Sequence, residues 1–389
     1  MIIFQPLNIQ SGRVELSEHA LTAHWSDGNR SRFHYLWLRD NCPSAFHPDT
    51  DERTFDLLSV SEAIHPVNVD IDAAGLHIQW SEHNHTSHYR HDWLLAHNYA
   101  QGGHRCREHR HPVMISWDAT DLTTLARADH SALMAGDATL YRWMKALYTH
   151  GLALVDGMPD HDNAVLDTAG RIDYPRRTNF GTVFNVISEP SPINLAYTAL
   201  ALPLHTDLPN QETPPGFQWL HCRVNQSDGG DSLFVDGLRV LEVMREQAPA
   251  HFNLLAEQTI PFRFHDAEHD IRAHHPIINL DTFGNIVEIK YNAHIADIFD
   301  LPEAIMHDFY LAYRDLMRRL REPQYLVRLR LTAGQMAVFD NRRVLHARSG
   351  FDPNSGQRQL QGCYVDRTEF KSRLRVLAKR FEPGWQDFL

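Results

Sequence analysis

One stretch of the chain, from Met336 to Arg348, reads MAVFDNRRVLHAR. Its first four residues are apolar, as in a buried strand, and a polar segment then leads to His346. Far upstream stands His205-Thr206-Asp207, with several short strand-like runs between the two places. Many short strands with insertions, and ligand-type side chains on strands distant in sequence, predict a double-stranded β-helix of the jelly-roll kind.

His205, Asp207 and His346 form the candidate metal site. Two imidazoles and one carboxylate are the donors of the facial triad of non-haem Fe(II) oxygenases, which leaves coordination positions open for a co-substrate and O2. Taken singly, His205 and Asp207 also suit a capped turn, and His346 also suits a hydrogen-bonded core histidine. The three together, with an arginine beyond His346, favour the iron site.

Arg358 and Ser232 are candidates for binding a 2-oxo acid. Arg358 follows His346 in a glycine-flanked segment, where a hairpin would return its side chain to the metal pocket. A planar guanidinium suits bidentate capture of the distal carboxylate of 2-oxoglutarate. Ser232, after Gly229-Gly230-Asp231, offers a short hydroxyl to the same molecule. The alternatives are a surface arginine and a turn serine.

Composition excludes several classes of partner. Lys plus Arg number 37 against 49 Asp plus Glu, a net charge of −12, so no basic footprint favours nucleic acid. No run approaches the roughly 18 apolar residues that span a bilayer, and the first residues lack the basic and apolar segments of a secretion signal. The four cysteines of this 389-residue chain are scattered singly, which suits reduced thiols and a cytoplasmic protein.

The pattern along the chain predicts a mainly β protein with helices, in two domains. Residues 1–95 read as a small N-terminal β domain, with short alternations at Val14–Leu16, His34–Leu38 and Leu76–Trp80. Residues 96–112 are polar and marked by glycine and proline, as in a linker. Residues 113–389 read as the catalytic jelly-roll domain. Helices are predicted there at Ala138–Tyr148, Leu238–Gln247 and Pro302–Arg321.

Motifs along almost the whole chain resemble those of the gamma-butyrobetaine dioxygenases, within the wider taurine-dioxygenase-like group of Fe(II)/2-oxoglutarate oxygenases. The motifs are WLRDNCP (37–43), LHTD (204–207), PPGFQ (214–218), LHC (220–222), GGDS (229–232) and FDNRRVLHAR (339–348). The resemblance implies iron on His205, Asp207 and His346, and 2-oxoglutarate on Arg358 and Ser232. It also implies ascorbate as reductant and a homodimer formed with help from the N-terminal domain.

The resemblance further implies a pocket for a small quaternary ammonium substrate. Aromatic faces attract such a cation without a counter-charge. The positions that match the family's ammonium cage are Phe180, Phe184, Tyr197 and Leu208, and the positions that match its polar contacts are Asn194, Asn292 and Tyr364. On spacing alone, Phe180 and Phe184 also suit ordinary core packing.

A structural zinc site in the N-terminal domain is doubtful. Members of the family often bind zinc through three cysteines and a later histidine, the soft or borderline donors that tetrahedral zinc needs. Here the matching positions are Cys42, Ser44, His47 and His85, and serine is a poor zinc ligand. Three donors remain, so a closed site would need another, such as His83.

The residue patterns predict an Fe(II)- and 2-oxoglutarate-dependent oxygenase, and the resemblance implies an enzyme of carnitine biosynthesis, which hydroxylates gamma-butyrobetaine to L-carnitine and releases succinate and CO2. The same chemistry on trimethyllysine, another betaine or a sulfonate is one alternative. A metal-binding jelly-roll protein without catalysis is the alternative from another class.

Overall fold

The computed structural model describes residues 13–25, 28–82, 84–99, 114–121, 125–187 and 198–385. Its contacts divide the chain into two compact units, Met1–His111 and Pro112–Leu389. Most of the predicted linker, 96–112, lies outside the described residues. The division of the chain at these boundaries therefore stays a prediction. No helix within the described ranges is long and apolar enough to cross a membrane.

The first unit contains, in its described part, two antiparallel three-stranded sheets and two short α-helices. They are β1 (Arg13–Leu16), β2 (Ala20–His24), β3 (Arg30–His34), α1 (Tyr35–Asp40), β4 (Pro66–Ile71), β5 (Leu76–Trp80), β6 (Thr86–Tyr89) and α2 (His91–Ala96). In β5, Leu76, Ile78 and Trp80 are buried and the residues between them are partly exposed. This period of two supplies one face of the unit's core.

The strand predicted over His34–Leu38 is wrong. The chain leaves β3 at His34 and forms the helix α1 from Tyr35 onward. Tyr35 and Leu38, three residues apart, are both buried, which is the spacing of one helix face. Five apolar-rich residues are too few to distinguish this spacing from the alternation of a strand.

The second unit is built on two facing antiparallel-rich sheets with two further strand pairs beside them. One sheet has the order β7-β8-β18-β11-β20-β9 and the other has the order β10-β19-β12-β17. The strands are β7 (Ala126–Asp129), β8 (Leu152–Asp156), β9 (Phe184–Val186), β10 (Leu202–His205), β11 (Phe217–Asn225), β12 (Ser232–Asp236), β13 (Thr259–His265), β14 (Asp270–Pro276), β15 (Ile278–Leu280), β16 (Ile286–Ile289), β17 (Val327–Leu329), β18 (Gln335–Asp340), β19 (Val344–Arg348) and β20 (Arg358–Val365).

Helices cover the outer faces of both sheets. They are α3 (His130–Ala135), α4 (Asp137–His150), α5 (Ala164–Ala169), α6 (Gly237–Gln247), α7 (Pro249–Glu257), α8 (Glu303–Leu320) and α9 (Arg367–Phe381). The three helices predicted from the sequence correspond to α4, α6 and α8. The predicted fold class, mainly β with helices on a double-stranded β-helix, is confirmed.

Alternation along the strands decides which side chains enter the space between the two sheets. On β11, Phe217 and Trp219 pack against the helices outside, while Leu220 packs between the sheets. On β19, Leu345 and Ala347 belong to the outer core. Successive side chains of a strand point to opposite faces, so His346 points inward.

Candidate active site

The inner face of the smaller sheet brings the three predicted metal ligands together. β10 and β19 run antiparallel, and His205 is the register partner of His346. Their rings lie with centroids 4.1 Å apart. Asp207 follows at the end of β10, with its Oδ1 atom 3.2 Å from His205 Nε2 and 3.7 Å from His346 Nε2. Among the residues that the structure describes, these three alone form a group able to hold a metal ion.

The donor set fits a two-histidine, one-carboxylate metal centre. The Nδ1 atom of His205 lies 2.9 Å from the Pro203 carbonyl oxygen. A proton on Nδ1 donates to this carbonyl and leaves the lone pair of Nε2 directed towards Asp207 and free to bind a metal. Burial lowers the pKa of His346 to about 3, which keeps this imidazole neutral. Burial raises the pKa of the Asp207 carboxyl, but its polar contacts, among them the hydrogen bond from the Tyr364 hydroxyl, lower the pKa by more, so the group is a carboxylate at neutral pH.

The Asn341-Arg342-Arg343 turn holds the loop that carries Asp207. The Asp207 amide donates to Asn341 Oδ1 at 2.6 Å, and Asn341 Nδ2 donates to the carbonyls of Asp207 (3.0 Å) and Pro215 (3.2 Å). Arg342 donates twice to the Pro214 carbonyl, at 2.9 and 2.7 Å. The motif therefore fixes the position of a ligand distant in sequence.

Arg343 anchors the same turn to the protein interior. It forms a bidentate ion pair with the fully buried carboxylate of Asp236, at 3.0 and 2.8 Å. It also donates to the carbonyls of Thr149 and Ile115. A planar fork with several donors is the side chain that can satisfy such a cluster.

Arg358 and Ser232 both line the cavity that contains the three ligands. Arg358 begins β20, and its Nε and Nη2 atoms donate to the Gly230 carbonyl at 3.2 and 3.1 Å. The hairpin expected between His346 and Arg358 does not form, because β20 pairs with β11 and β9 in the other sheet. The chain instead crosses between the sheets, and this crossing brings Arg358 to the pocket from the opposite wall.

Burial sets the electrostatics of this end of the cavity. It lowers the pKa of Arg358 to about 10 and the pKa of Arg348 to about 10. Within the described ranges Arg358 forms no ion pair with a carboxylate. A buried guanidinium in this situation favours an anionic ligand.

The cavity, about 360 Å³, has an aromatic wall on its other side. Phe180 packs edge to face with Phe264, with centroids 5.3 Å apart, and Phe184 stacks on Tyr364 at 5.1 Å. Core packing at helical spacing is excluded for Phe180 and Phe184, because Phe184 lies in β9. Leu208 also lines the cavity, and its φ of 56° is a strained, left-handed conformation for a bulky residue.

Two of the predicted pocket residues, Asn194 and Tyr197, lie outside the described residues. Asn292 lines the cavity, but its amide donates to the Thr206 carbonyl at 3.2 Å and accepts from the His294 amide at 3.0 Å. It therefore stabilises the backbone beside the ligands. The Tyr364 hydroxyl donates to Asp207 Oδ2 at 2.6 Å.

Several polar residues of this cavity were not predicted as site residues from the sequence. Asn210 is fully buried, and neither its amide nitrogen nor its amide oxygen has a hydrogen-bond partner in the described structure. Gln218, buried beside Tyr364 on the neighbouring strand, has an unpaired Oε1. Arg348 lies on the same face of β19 as His346 and donates to the carbonyls of Thr198 and Leu200. Gln218 and Arg348 lie within the motifs PPGFQ and FDNRRVLHAR, but no local pattern shows that these side chains line the cavity, and only the structure reveals it.

The residues of the doubtful zinc site do not fit a closed tetrahedral centre. Cys42 Sγ lies 3.6 Å from His85 Nε2 and 3.1 Å from the hydroxyl oxygens of Ser44 and Ser87. His47 is exposed and does not join a three-donor group with Cys42 and His85 in the part of the chain that the structure describes. The reason is local: the His47 backbone amide bonds to Glu52, in a turn that leaves the imidazole in solvent. His83 lies outside the described residues.

Comparison with known proteins gives matches over both units. Residues 118–364 match the model of the taurine catabolism dioxygenase TauD, TfdA family, and residues 13–95 match the gamma-butyrobetaine hydroxylase-like N-terminal domain. The gamma-butyrobetaine dioxygenase of Pseudomonas sp. (strain AK-1) is 43% identical over 358 residues, which cover 91% of this chain and 93% of that protein. The mitochondrial trimethyllysine dioxygenase of Bos taurus is 30% identical, with 90% and 83% covered.

Among solved structures, AAD-2 in complex with Mn(II) and N-oxalylglycine has a TM-score of 0.50 and 15% identity, over 63% of this chain and 96% of that one. This likeness concerns the fold alone.

Proposed function

Because the chain belongs to the taurine catabolism dioxygenase TauD, TfdA family, we propose that it hydroxylates gamma-butyrobetaine to L-carnitine. The observation that carries the proposal is one cavity that three metal-ligand side chains, a buried arginine and an aromatic wall all face. The 43% identity to a bacterial gamma-butyrobetaine dioxygenase over nearly the whole chain supports the choice of substrate.

In this proposal His205, Asp207 and His346 hold Fe(II). When bound, the metal supplies O2 activation coupled to decarboxylation of 2-oxoglutarate, which yields succinate, CO2 and the hydroxylated product. Arg358 binds the distal carboxylate of 2-oxoglutarate with a fork of donors in a buried site, and Ser232 adds a hydroxyl. Apolar residues of the two neighbouring cores, such as Leu220, Leu360 and Ala347, form part of the cavity wall.

The aromatic wall binds the trimethylammonium group. Phe180 and Phe184 line the cavity as the cage rings, and each cation–π contact contributes about 0.5–2 kcal/mol. Leu208 contributes an uncharged, apolar surface to the cavity wall. Tyr197 as a further cage residue, and Asn194 as a contact of the substrate carboxylate, stay predictions from the resemblance.

The proposal is tested with protein reconstituted anaerobically with Fe(II), then given O2 and 2-oxoglutarate. Succinate and hydroxylated product are measured with gamma-butyrobetaine, trimethyllysine, taurine and no substrate. We expect one succinate per carnitine with gamma-butyrobetaine and little of either product with the others. Coupled turnover on trimethyllysine or taurine instead would refute the substrate and keep the reaction.

A second arm of the experiment tests the site. His205→Ala should abolish succinate formation, because it removes one metal donor. His307→Ala, which changes a histidine of α8 away from the cavity, is the matched control and should keep full turnover. Full turnover by His205→Ala would refute the metal assignment.

We also propose a homodimer, ascorbate as reductant and the cytoplasm as location. Cys42, Cys222 and Cys363 are buried and unbridged, which supports a reducing compartment. Light scattering after size-exclusion chromatography tests the dimer, and a mass of one chain would refute it. Turnover numbers with and without ascorbate test the reductant.

A further inference from the structure

The two oxygens of the Asp207 carboxylate have different surroundings. Oδ1 faces the ligand atoms, 3.2 Å from His205 Nε2 and 3.7 Å from His346 Nε2. Oδ2 accepts the Tyr364 hydroxyl at 2.6 Å. An O–H donor to a carboxylate at this distance is a short, charge-assisted hydrogen bond, roughly twice as strong as a neutral one.

The position of Tyr364 is determined by β20, an interior strand of the larger sheet. β20 lies between β11 and β9, and Gln218 of β11 is the register partner of Tyr364. The Tyr364 ring is buried and stacks on Phe184, with centroids 5.1 Å apart. Arg358 begins the same strand, and an even spacing places Arg358 and Tyr364 on one face of it.

We propose that Tyr364 is a positioning residue for the metal ligand Asp207. Its hydroxyl occupies Oδ2, so that the carboxylate offers only Oδ1 to the metal and does not take a second coordination position. That position stays open for the chelating 2-oxo acid that Arg358 anchors. The inference rests on the proposed metal site, but it does not depend on which compound is hydroxylated.

Tyr364→Phe tests the hydroxyl while keeping the ring and its stack on Phe184. Mn(II), which needs no protection from O2, is titrated into the full-length, metal-free protein and the bound fraction is measured by electron paramagnetic resonance. Loss of a hydrogen bond that orients a metal ligand costs about 10- to 100-fold in metal affinity, so the Mn(II) dissociation constant should rise by that factor. A rise of less than about 2-fold would overturn the inference.

Two variants separate the hydroxyl from folding and packing. Tyr141→Phe removes a hydroxyl that donates to Glu382 at 2.8 Å, away from the cavity, and should leave Mn(II) affinity unchanged. Phe184→Leu removes the stacked ring and keeps the Tyr364 hydroxyl, so its Mn(II) affinity should stay within about 3-fold of the unmodified protein. A loss as large as that of Tyr364→Phe would assign the effect to packing and overturn the inference.

The electron paramagnetic resonance spectrum of bound Mn(II) is a second readout, which would not change if Tyr364 only stabilised the fold. Bound Mn(II) should show an altered zero-field splitting in Tyr364→Phe, because the carboxylate is free to become bidentate. An unaltered spectrum in the variant would overturn the inference. If the unmodified protein binds no Mn(II) and His205→Ala behaves identically, both the proposed metal site and this inference fail. Tight binding that is lost in His205→Ala but unchanged in Tyr364→Phe overturns the inference alone.

Discussion

Replacing Arg358 by methionine should weaken the binding of 2-oxoglutarate by at least about 30-fold. Arg358 is 8% exposed, and burial lowers its pKa to about 10, so the protein alone compensates the charge only in part. Truncating one partner of a buried, hydrogen-bonded charge pair costs about 2–5 kcal/mol. At about 1.4 kcal/mol for each factor of ten, this cost corresponds to roughly 30- to 4000-fold.

The assay is isothermal titration of 2-oxoglutarate into the Mn(II)-loaded protein without substrate. Methionine keeps an unbranched side chain of similar length, so the cavity stays filled and the change concerns mainly charge and hydrogen bonds. Arg358→Lys keeps the charge and loses the planar fork. Its affinity for 2-oxoglutarate should lie between that of the unmodified protein and that of Arg358→Met.

Arg328→Met is the matched control. Arg328 lies on β17, is largely exposed and pairs with Asp231 at 2.9 Å. Exposed ion pairs contribute about 0–1 kcal/mol, so this change should leave the dissociation constant of 2-oxoglutarate within about 2-fold. If Arg358→Met folds normally and its affinity also stays within about 5-fold, the assignment of Arg358 to the co-substrate is refuted.

Two further changes test other parts of the site, and a third tests how the stability of the fold depends on pH. Gly230→Ala places a Cβ 2.6 Å from Arg358 Nε and should weaken 2-oxoglutarate binding about 10-fold or more in the same titration, whereas Gly284→Ala, with a similar positive φ and open space, should not. Asn210→Leu should raise the KM for the substrate while thermal unfolding shows equal or higher stability, because a buried unpaired amide costs about 1–3 kcal/mol; a lower stability would contradict this. Burial lowers the pKa of His221 to about 4, so the unfolded chain takes up the proton first as the pH falls. Stability that is complete above about pH 6.5 should decline towards pH 4 by up to about 1.4 kcal/mol per unit, and urea unfolding of His221→Gln should show a shallower decline; an equal slope would contradict it.

Much of the catalytic unit was predictable because its signals are local or chemically specific. β8, β12 and β18 contain apolar runs of strand length, and the apolar residues of α4, α6 and α8 recur with helical spacing. Two histidines and an aspartate in recognisable motifs indicate a metal site whatever the rest of the fold. The strand predicted at His34–Leu38 is wrong because helix and strand periods coincide over so few residues.

The partners of the ligands were not predictable in the same way. Asn341 holds Asp207 across 134 residues of sequence, and Tyr364 reaches the same carboxylate across 157. The local sequence around an asparagine in a turn or a tyrosine in a strand does not indicate which distant residue will be its hydrogen-bond partner. The burial of Asn210 and the exposure of His47 also depend on packing that no local segment contains.

The sequence by itself determined the chemistry that this protein offers: two imidazoles, one carboxylate and one guanidinium, on strands whose alternation separates an outer from an inner face. Only the tertiary structure decided how those groups meet, with Arg358 arriving from the opposite sheet and the Tyr364 hydroxyl occupying one oxygen of Asp207. The physical reason is the distance along the chain over which each property is determined. Side-chain type and strand period are properties of neighbouring residues, whereas a hydrogen bond of 2.6 Å exists only after distant strands have packed to fixed positions.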